Sequence, residues 1–254
     1  MRTDGHTILI TGGSTGIGLA MSEEFIRRGN KVIACARTES TLSDAKKRLP
    51  NLVTRRCDLS KEAEREALHD WVMQNHPDIS VLVNNAGIQR MVDFTKGPAD
   101  LQKVRDTDGQ DEIDVNFKAL VYMTALFVPH LMKTDESAIV NVSSGLGFAP
   151  LAIMPVYCAT KAAVHSFTVS LRHQLRSTRV RVFEIIPPMV DTNLDKGARE
   201  SRQQRDRGIP PADVAKATLK ALQEDTFEAA VGDAQNLVKG SKANPEQMFS
   251  NMNR

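Results

Sequence analysis

Two residues four apart, Tyr157 and Lys161 in the string YCATK, could move a proton. On a helix they share one face. A free phenol titrates near pH ~10 and is a poor base at neutrality, but a neighbouring ammonium favours the phenolate and eases proton transfer. Taken alone, the pair fits a core aromatic beside an exposed helical lysine just as well. A second string, TGGSTGIG over 11–18, could hold something for that proton to act on. Where a strand turns at once into a helix, the helix start leaves N–H groups without partners, and these attract a phosphate. Gly12 permits the tight turn, Gly16 lets a pyrophosphate approach the backbone, and Gly18 lets helix and sheet pack closely. A glycine string by itself is also compatible with a turn that binds nothing. Its place behind the apolar run TILI favours a ligand.

Such residues need a frame. Strand-like runs at 7–10, 31–36, 52–57, 80–85, 138–144, 179–186 and 227–231 alternate with helical patterns at about 17–28, 40–49, 60–76, 111–132 and 157–177. Ser60 with Glu64 starts the third helix, Pro77 stops it, and a further helix has Pro211 inside its start. This alternation predicts an α/β fold: a single doubly wound, Rossmann-like domain over 1–254, with a mostly parallel, seven-stranded sheet and helices on both faces. Residues 88–108 are looser. Residues 233–254 are polar, lack the periodicity of a core element, and read as a C-terminal extension that packs as a tail or faces a partner.

Composition narrows the function. A chain of 254 residues can bury a full core as one domain. A formal net charge of only +2 offers no field for nucleic acid or an anionic membrane. The longest apolar runs fall far short of a membrane span, and the glycine-rich N-terminal region is no leader peptide. Cys35, Cys57 and Cys158 form an odd set without paired spacing, which predicts reduced thiols and a cytoplasmic protein. The six histidines form no ligand motif, so no metal is expected.

TGGSTGIG resembles the TGxxxGxG element of the short-chain dehydrogenase/reductase family, and further strings follow in that family's order. CDLS at 57–60 is similar to its third-strand segment and NNAG at 84–87 to its fourth-strand element. NVSS at 141–144 with YCATK at 157–161 resembles its catalytic serine and Y-x-x-x-K. PPMVDT at 187–192 is similar to P-G-x-V-x-T, with Pro188 in place of the glycine. The resemblance runs from about residue 6 to residue 232. It implies a hydride transfer between a nicotinamide and a small or medium carbonyl compound or its alcohol. Ser144 and Tyr157 would meet the substrate oxygen, with Ser143 second for the serine role. Lys161 would hold the nicotinamide ribose, and Asn116 would organise a water leading to solvent. The cofactor would lie against Gly12, Ser14, Thr15, Gly16, Ile17, Gly18, Arg37, Asp58, Leu59, Asn85, Ala86, Gly87, Tyr157, Lys161, Pro187, Val190 and Thr192.

The second strand ends in Cys35–Ala36–Arg37–Thr38. An acidic residue at Ala36 would accept the ribose hydroxyls of NAD; here an arginine fork follows instead and suits a 2′-phosphate. NADP(H) is therefore preferred, with NAD(H) left open. Leu146, Phe148, Met154 and Met189, with Ile88 and Gln89 at the rim, are candidate pocket residues that suit a partly hydrocarbon substrate. Residues 195–208 read as a substrate lid framed by Gly197 and Gly208. Apolar residues Phe117, Leu120, Val121, Leu126 and Phe127, on one of the helices through which the family pairs, imply a homodimer or homotetramer. The alternative is an NADP(H)-binding regulatory or scaffold protein with little turnover, which loss of Tyr157 or Lys161 would favour; neither is missing.

Overall fold

The computed structural model describes residues 1–101, 110–194 and 208–253. The expected lid therefore lies, but for Gly208, outside the described residues. Seven strands, β1 (Thr7–Thr11), β2 (Lys31–Ala36), β3 (Val53–Arg56), β4 (Ile79–Asn84), β5 (Ser137–Val142), β6 (Val180–Ile186) and β7 (Glu228–Ala230), form one sheet ordered β3-β2-β1-β4-β5-β6-β7. Every neighbouring pair is parallel. The order reverses between β1 and β4, which opens a crevice at the carboxyl ends of the strands.

The helices are α1 (Gly16–Arg27), α2 (Glu39–Arg48), α3 (Glu62–Asn75), the single turn α4 (Pro98–Leu101), α5 (Ala119–Leu131), α6 (Pro155–Gln174), α7 (Pro211–Glu224), α8 (Ala234–Ala243) and α9 (Pro245–Met252). Strand alternation divides the core between two faces. Ile8, Ile10, Val32, Ala34, Val81 and Val83 pack towards Met21 and Phe25 of α1 and Val214 and Leu222 of α7. Leu9, Ile33, Leu82 and Ile139 pack towards Leu68 of α3, Met123 and Phe127 of α5, and Leu171 of α6. Strands buried on both faces explain the unbroken apolar runs in the sequence.

Three local expectations change. The helix expected over 111–132 is not uniform: Asp114–Lys118 is a π-helical turn ahead of α5. Ser60 does not cap α3, which begins at Glu62; its hydroxyl donates to Asp58 Oδ1 at 2.7 Å, while Glu64 accepts the Asp58 N–H at 2.7 Å. The polar tail forms α8 and α9. Ala234 and Val238, one turn apart, supply the short apolar stripe that its composition hides, and they pack with Ile186 and Phe148.

Candidate active site

At the glycine turn the geometry is set by backbone contact. A Cβ on Gly18 would fall 2.1 Å from the Gly12 carbonyl oxygen, and one on Gly12 3.1 Å from Ala86 Cα. Gly12 also needs its φ of +64°. The side chain of Thr15, the residue ahead of α1, makes no cap bond, and the first turn has no acidic residue. Amide groups at that end therefore suit an anion. Ile17 packs on the core beneath the turn.

The other cofactor candidates gather around this turn. Gly12 N–H donates to Cys35 O and Cys57 N–H to Ala36 O, which brings Asp58 and half-buried Arg37 to adjoining strand ends. Ser14 Oγ lies 3.0 Å from Thr41 Oγ1 on α2. Asp58 Oδ1 accepts from Gln110 Nε2 at 2.8 Å, and the Leu59 carbonyl accepts from buried Arg65 at 2.7 Å. Asn85 donates to Thr11 O at 2.9 Å, and Ala86 follows it against Gly12. Gly87 lies between Asn116 and Lys161: its Cβ position is 3.4 Å from Asn116 Oδ1 and 3.6 Å from Lys161 Nζ. Pro187 O accepts the Gly145 N–H, Val190 bridges to Ile209, and the Thr192 methyl is 3.1 Å from the Cβ position of Gly16. These residues together can line one groove for a dinucleotide.

Beyond the groove lie the candidate proton-moving groups. Ser144 follows β5; its Oγ accepts the Leu146 N–H at 3.1 Å, and its hydroxyl acts on the Tyr157 phenol by favouring the phenolate. Its neighbour Ser143 points the other way and donates to Glu184 Oε1 at 2.5 Å, which separates the two serines by role. Lys161, also buried, donates to Val142 O at 2.9 Å, with Nζ 5.7 Å from the Tyr157 ring centre. The electrostatics differ from the simple reading of the pair. Burial pushes the phenol well above its ordinary range and outweighs the effect of the Ser144 hydroxyl. Burial also lowers the Lys161 ammonium to about 8. Tyr157 therefore holds its proton at neutrality, as a donor in a reduction must.

Asn116 sits in the π turn, and its amide is already engaged. Oδ1 accepts from Ile88 N–H at 2.8 Å, while Nδ2 donates to Ile88 O at 2.8 Å and Thr160 Oγ1 at 3.1 Å. Its side chain locks the β4 loop to α6, so a water held there would rest mainly on the main chain.

The pocket is partly as expected. Leu146 and Met154 pack with Tyr157, joined by Met91, Leu151, Cys158 and Leu194, which the sequence reading missed. Gln89 donates to Met154 Sδ. Phe148 does not belong: its ring meets that of His165 at 4.5 Å with a tilt of 58°, and it joins the α8 cluster. Gly208 is held against the Met189 carbonyl, 2.2 Å from its Cβ position. The tail also reaches this region. A Cβ on Gly145 would meet Leu237 at 2.7 Å, Ser241 donates to Phe148 O at 2.6 Å, and Asn253 accepts from Ala152 N–H at 2.6 Å. Helices α8 and α9 thus brace the loop between Ser144 and Tyr157.

Comparison with known proteins shows the family. Residues 6–203 match the family described as short chain dehydrogenase. The chain is 47% identical over 253 residues to the uncharacterized oxidoreductase DltE of Bacillus subtilis, covering 100% of this chain and 98% of the relative. It is 34% identical to the NADP-dependent 3-hydroxy acid dehydrogenase YdfG of Escherichia coli K12, covering 83% of this chain and 86% of the relative. A short chain dehydrogenase from Burkholderia cenocepacia solved in complex with NADP superposes with a TM-score of 0.80 at 27% identity, over 99% of each chain.

Proposed function

We propose, from the premise that this chain belongs to the short-chain dehydrogenase family, that Tyr157 is the acid and base of its reaction. The chain is an NAD(P)H-dependent oxidoreductase of small carbonyl compounds and their alcohols. The observation that carries the residue assignment is the corner in which Ser144, Tyr157 and Lys161 are all buried, with Lys161 Nζ 5.7 Å from the Tyr157 ring centre. When bound, the nicotinamide supplies or accepts the hydride. In reduction, Tyr157 Oη donates its proton to the substrate oxygen, and Ser144 Oγ meets the charge developing there. Lys161 holds the ribose hydroxyls and returns a proton to the phenol. In the oxidative direction Tyr157 would act as the base, its phenolate favoured by any positive charge bound beside it.

NADP(H) is the cofactor this reading prefers, with NAD(H) able to enter. Support comes from Arg37 following Ala36 at the end of β2, and from the YdfG and Burkholderia proteins, which carry NADP in their names. Thr192 bonds the nicotinamide carboxamide. Three free, buried cysteines and the lack, among the described residues, of any helix long and apolar enough to cross a membrane support a cytoplasmic protein. A homo-oligomer is supported by an apolar groove of about 370 Å³ lined by Ile113, Phe117, Val156, Ala159 and Ala163, on the helical segments the family uses for pairing, and by Phe94 from the short turn after β4. The test is a panel of ketones and alcohols followed by nicotinamide absorbance. Y157F should lower kcat by about 10²–10⁴-fold. Turnover at the parental rate would remove Tyr157 from the chemistry.

A further inference from the structure

One buried titratable group beside Tyr157 takes no part in the proton transfer above. Glu112 lies one helical turn before Asn116, so the two share a face. Both engage the loop after β4: Asn116 brackets Ile88, and Glu112 Oε1 accepts the Arg90 N–H at 2.9 Å. The Glu112 side chain is wholly buried, and its second oxygen, Oε2, has no hydrogen-bond partner among the described residues. An acceptor in that state bears its full desolvation penalty, so a methionine or valine would serve stability better. A buried polar atom left in this condition calls for a use.

Its surroundings indicate the use. Arg90, whose N–H Glu112 binds, precedes Met91, which packs with Tyr157 and Cys158 of α6, so the carboxyl stands behind the loop that meets that helix's first turn. The side chains packed around that phenol are apolar or soft, among them Met91, Leu146, Met154 and Leu194. In such a lining, one carboxylate oxygen discriminates strongly between substrate substituents. A site built to pair a hydroxyl or amine rejects the analogue that lacks it, because the buried acceptor is then left unpaired.

We propose that Glu112 determines substrate selectivity: its orphaned oxygen accepts a hydrogen bond from a hydroxyl or ammonium group carried beside the reacting carbonyl, and it disfavours a carboxylate in that place. This rests on the oxidoreductase reading and adds no chemical step to it. The selectivity opposes that expected from the YdfG relative, whose name specifies hydroxy acids.

The test uses four ketones with a shared acetyl end: hydroxyacetone, aminoacetone, butanone and acetoacetate. In the wild type, kcat/KM for hydroxyacetone and aminoacetone should exceed that for butanone by about tenfold or more, with acetoacetate lowest. In E112M these ratios should collapse towards one. In E112Q the Arg90 N–H keeps the amide oxygen, so the NH₂ group takes the place of Oε2 and presents a donor; the preference should turn towards acetoacetate. Burial raises the Glu112 carboxyl to about 7, with Arg90 opposing and Asp111 reinforcing the shift, and Tyr157 and Cys158 facing it from α6. The wild-type preference for hydroxyacetone should therefore grow as pH rises through about 7, and this dependence should vanish in E112M.

Calorimetric binding of the same ketones to the protein with NADP⁺ reads selectivity without turnover. NADPH binding checks that each variant is folded, and E112Q stands if E112M does not fold. Equal ratios in the wild type, no binding of any of the ketones, or ratios retained in the folded variants, overturn the proposal and leave the oxidoreductase reading intact if turnover persists. Selective binding with no turnover of any ketone would sustain the role of Glu112 and count against that reading.

Discussion

Between Gly12 and Gly18 the chain works through atoms it lacks, whereas between Ser144 and Lys161 it works through side chains taken out of water. The turn allows no Cβ at Gly18 and little room at Gly12, and no side chain caps the helix end. It offers main-chain amides, whose hydrogen bonds do not titrate. The reactive corner is the reverse. Tyr157 and Lys161 are both buried, and burial moves the phenol upward and the ammonium downward, so each neutral form is favoured and two nearly equal ordinary values are driven apart. The turn should therefore be sensitive to size and indifferent to pH. The corner should tolerate changes of size better and depend strongly on pH and on single polar atoms.

The largest effect that would sharpen this contrast is at Gly18. G18A places a methyl 2.1 Å from a carbonyl oxygen, so the turn must move. Cofactor affinity should fall beyond easy measurement and stability by about 1–3 kcal/mol, read by NADPH fluorescence titration and denaturant melts. Retained affinity would break the account of the turn. Next comes the serine pair. S144A removes a donor to the substrate oxygen and should lower kcat by about 10²–10³ with little loss of stability. S143A strips a hydrogen bond from wholly buried Glu184 and should do the opposite, costing about 1–3 kcal/mol while leaving kcat within a few-fold. Matching phenotypes would erase the division of labour between them.

A smaller effect is expected at the nucleotide's outer end. Replacing Arg37 with aspartate should weaken NADP⁺ binding about 10–100-fold, as loss of a charge-assisted contact does, and NAD⁺ binding much less. Parallel losses would remove the basis for the cofactor preference.

The smallest effect concerns pH. Lys161 is charged in the unfolded chain up to its ordinary range near ~10.4 but only to about 8 when folded without cofactor. Between those limits the unfolded state binds more protons, so this lysine makes stability rise with pH there; below about 8 its burial penalty is fully present. The buried thiols Cys35 and Cys57, raised by burial, act in the opposite direction at alkaline pH. The measurable quantity is therefore the difference in melting temperature between wild type and K161M, which should shift in favour of the wild type from pH 8 to pH 10. A constant difference would deny that Lys161 is held in a desolvated site.

Much of this was legible beforehand because the signals were local. Tyr157 and Lys161 are one helical turn apart, the glycine string sits where a strand must turn into a helix, and apolar runs at regular spacing name the strands. Non-local relations were not legible. Phe148 looked like a pocket residue, yet its ring meets His165 and α8. Spacing already ranked Ser144 ahead of Ser143, but nothing local showed that Ser143 bonds Glu184 on the neighbouring strand. The tail looked polar because two residues at helical spacing, Ala234 and Val238, suffice to seat α8. Glu112 gave no signal, since a glutamate ahead of a helical asparagine normally faces water.

The sequence by itself determined the alternation of elements, the turn that suits a phosphate and the pairing of phenol with amine. Each of these depends on residues within a few positions of one another. Tertiary structure alone decided what Ser143 bonds, how far burial moves Tyr157 and Lys161, and that Glu112 is enclosed with an oxygen that has no partner among the described residues. Those outcomes depend on the solvent that packing removes and on side chains brought together from distant parts of the chain, and a linear pattern records neither.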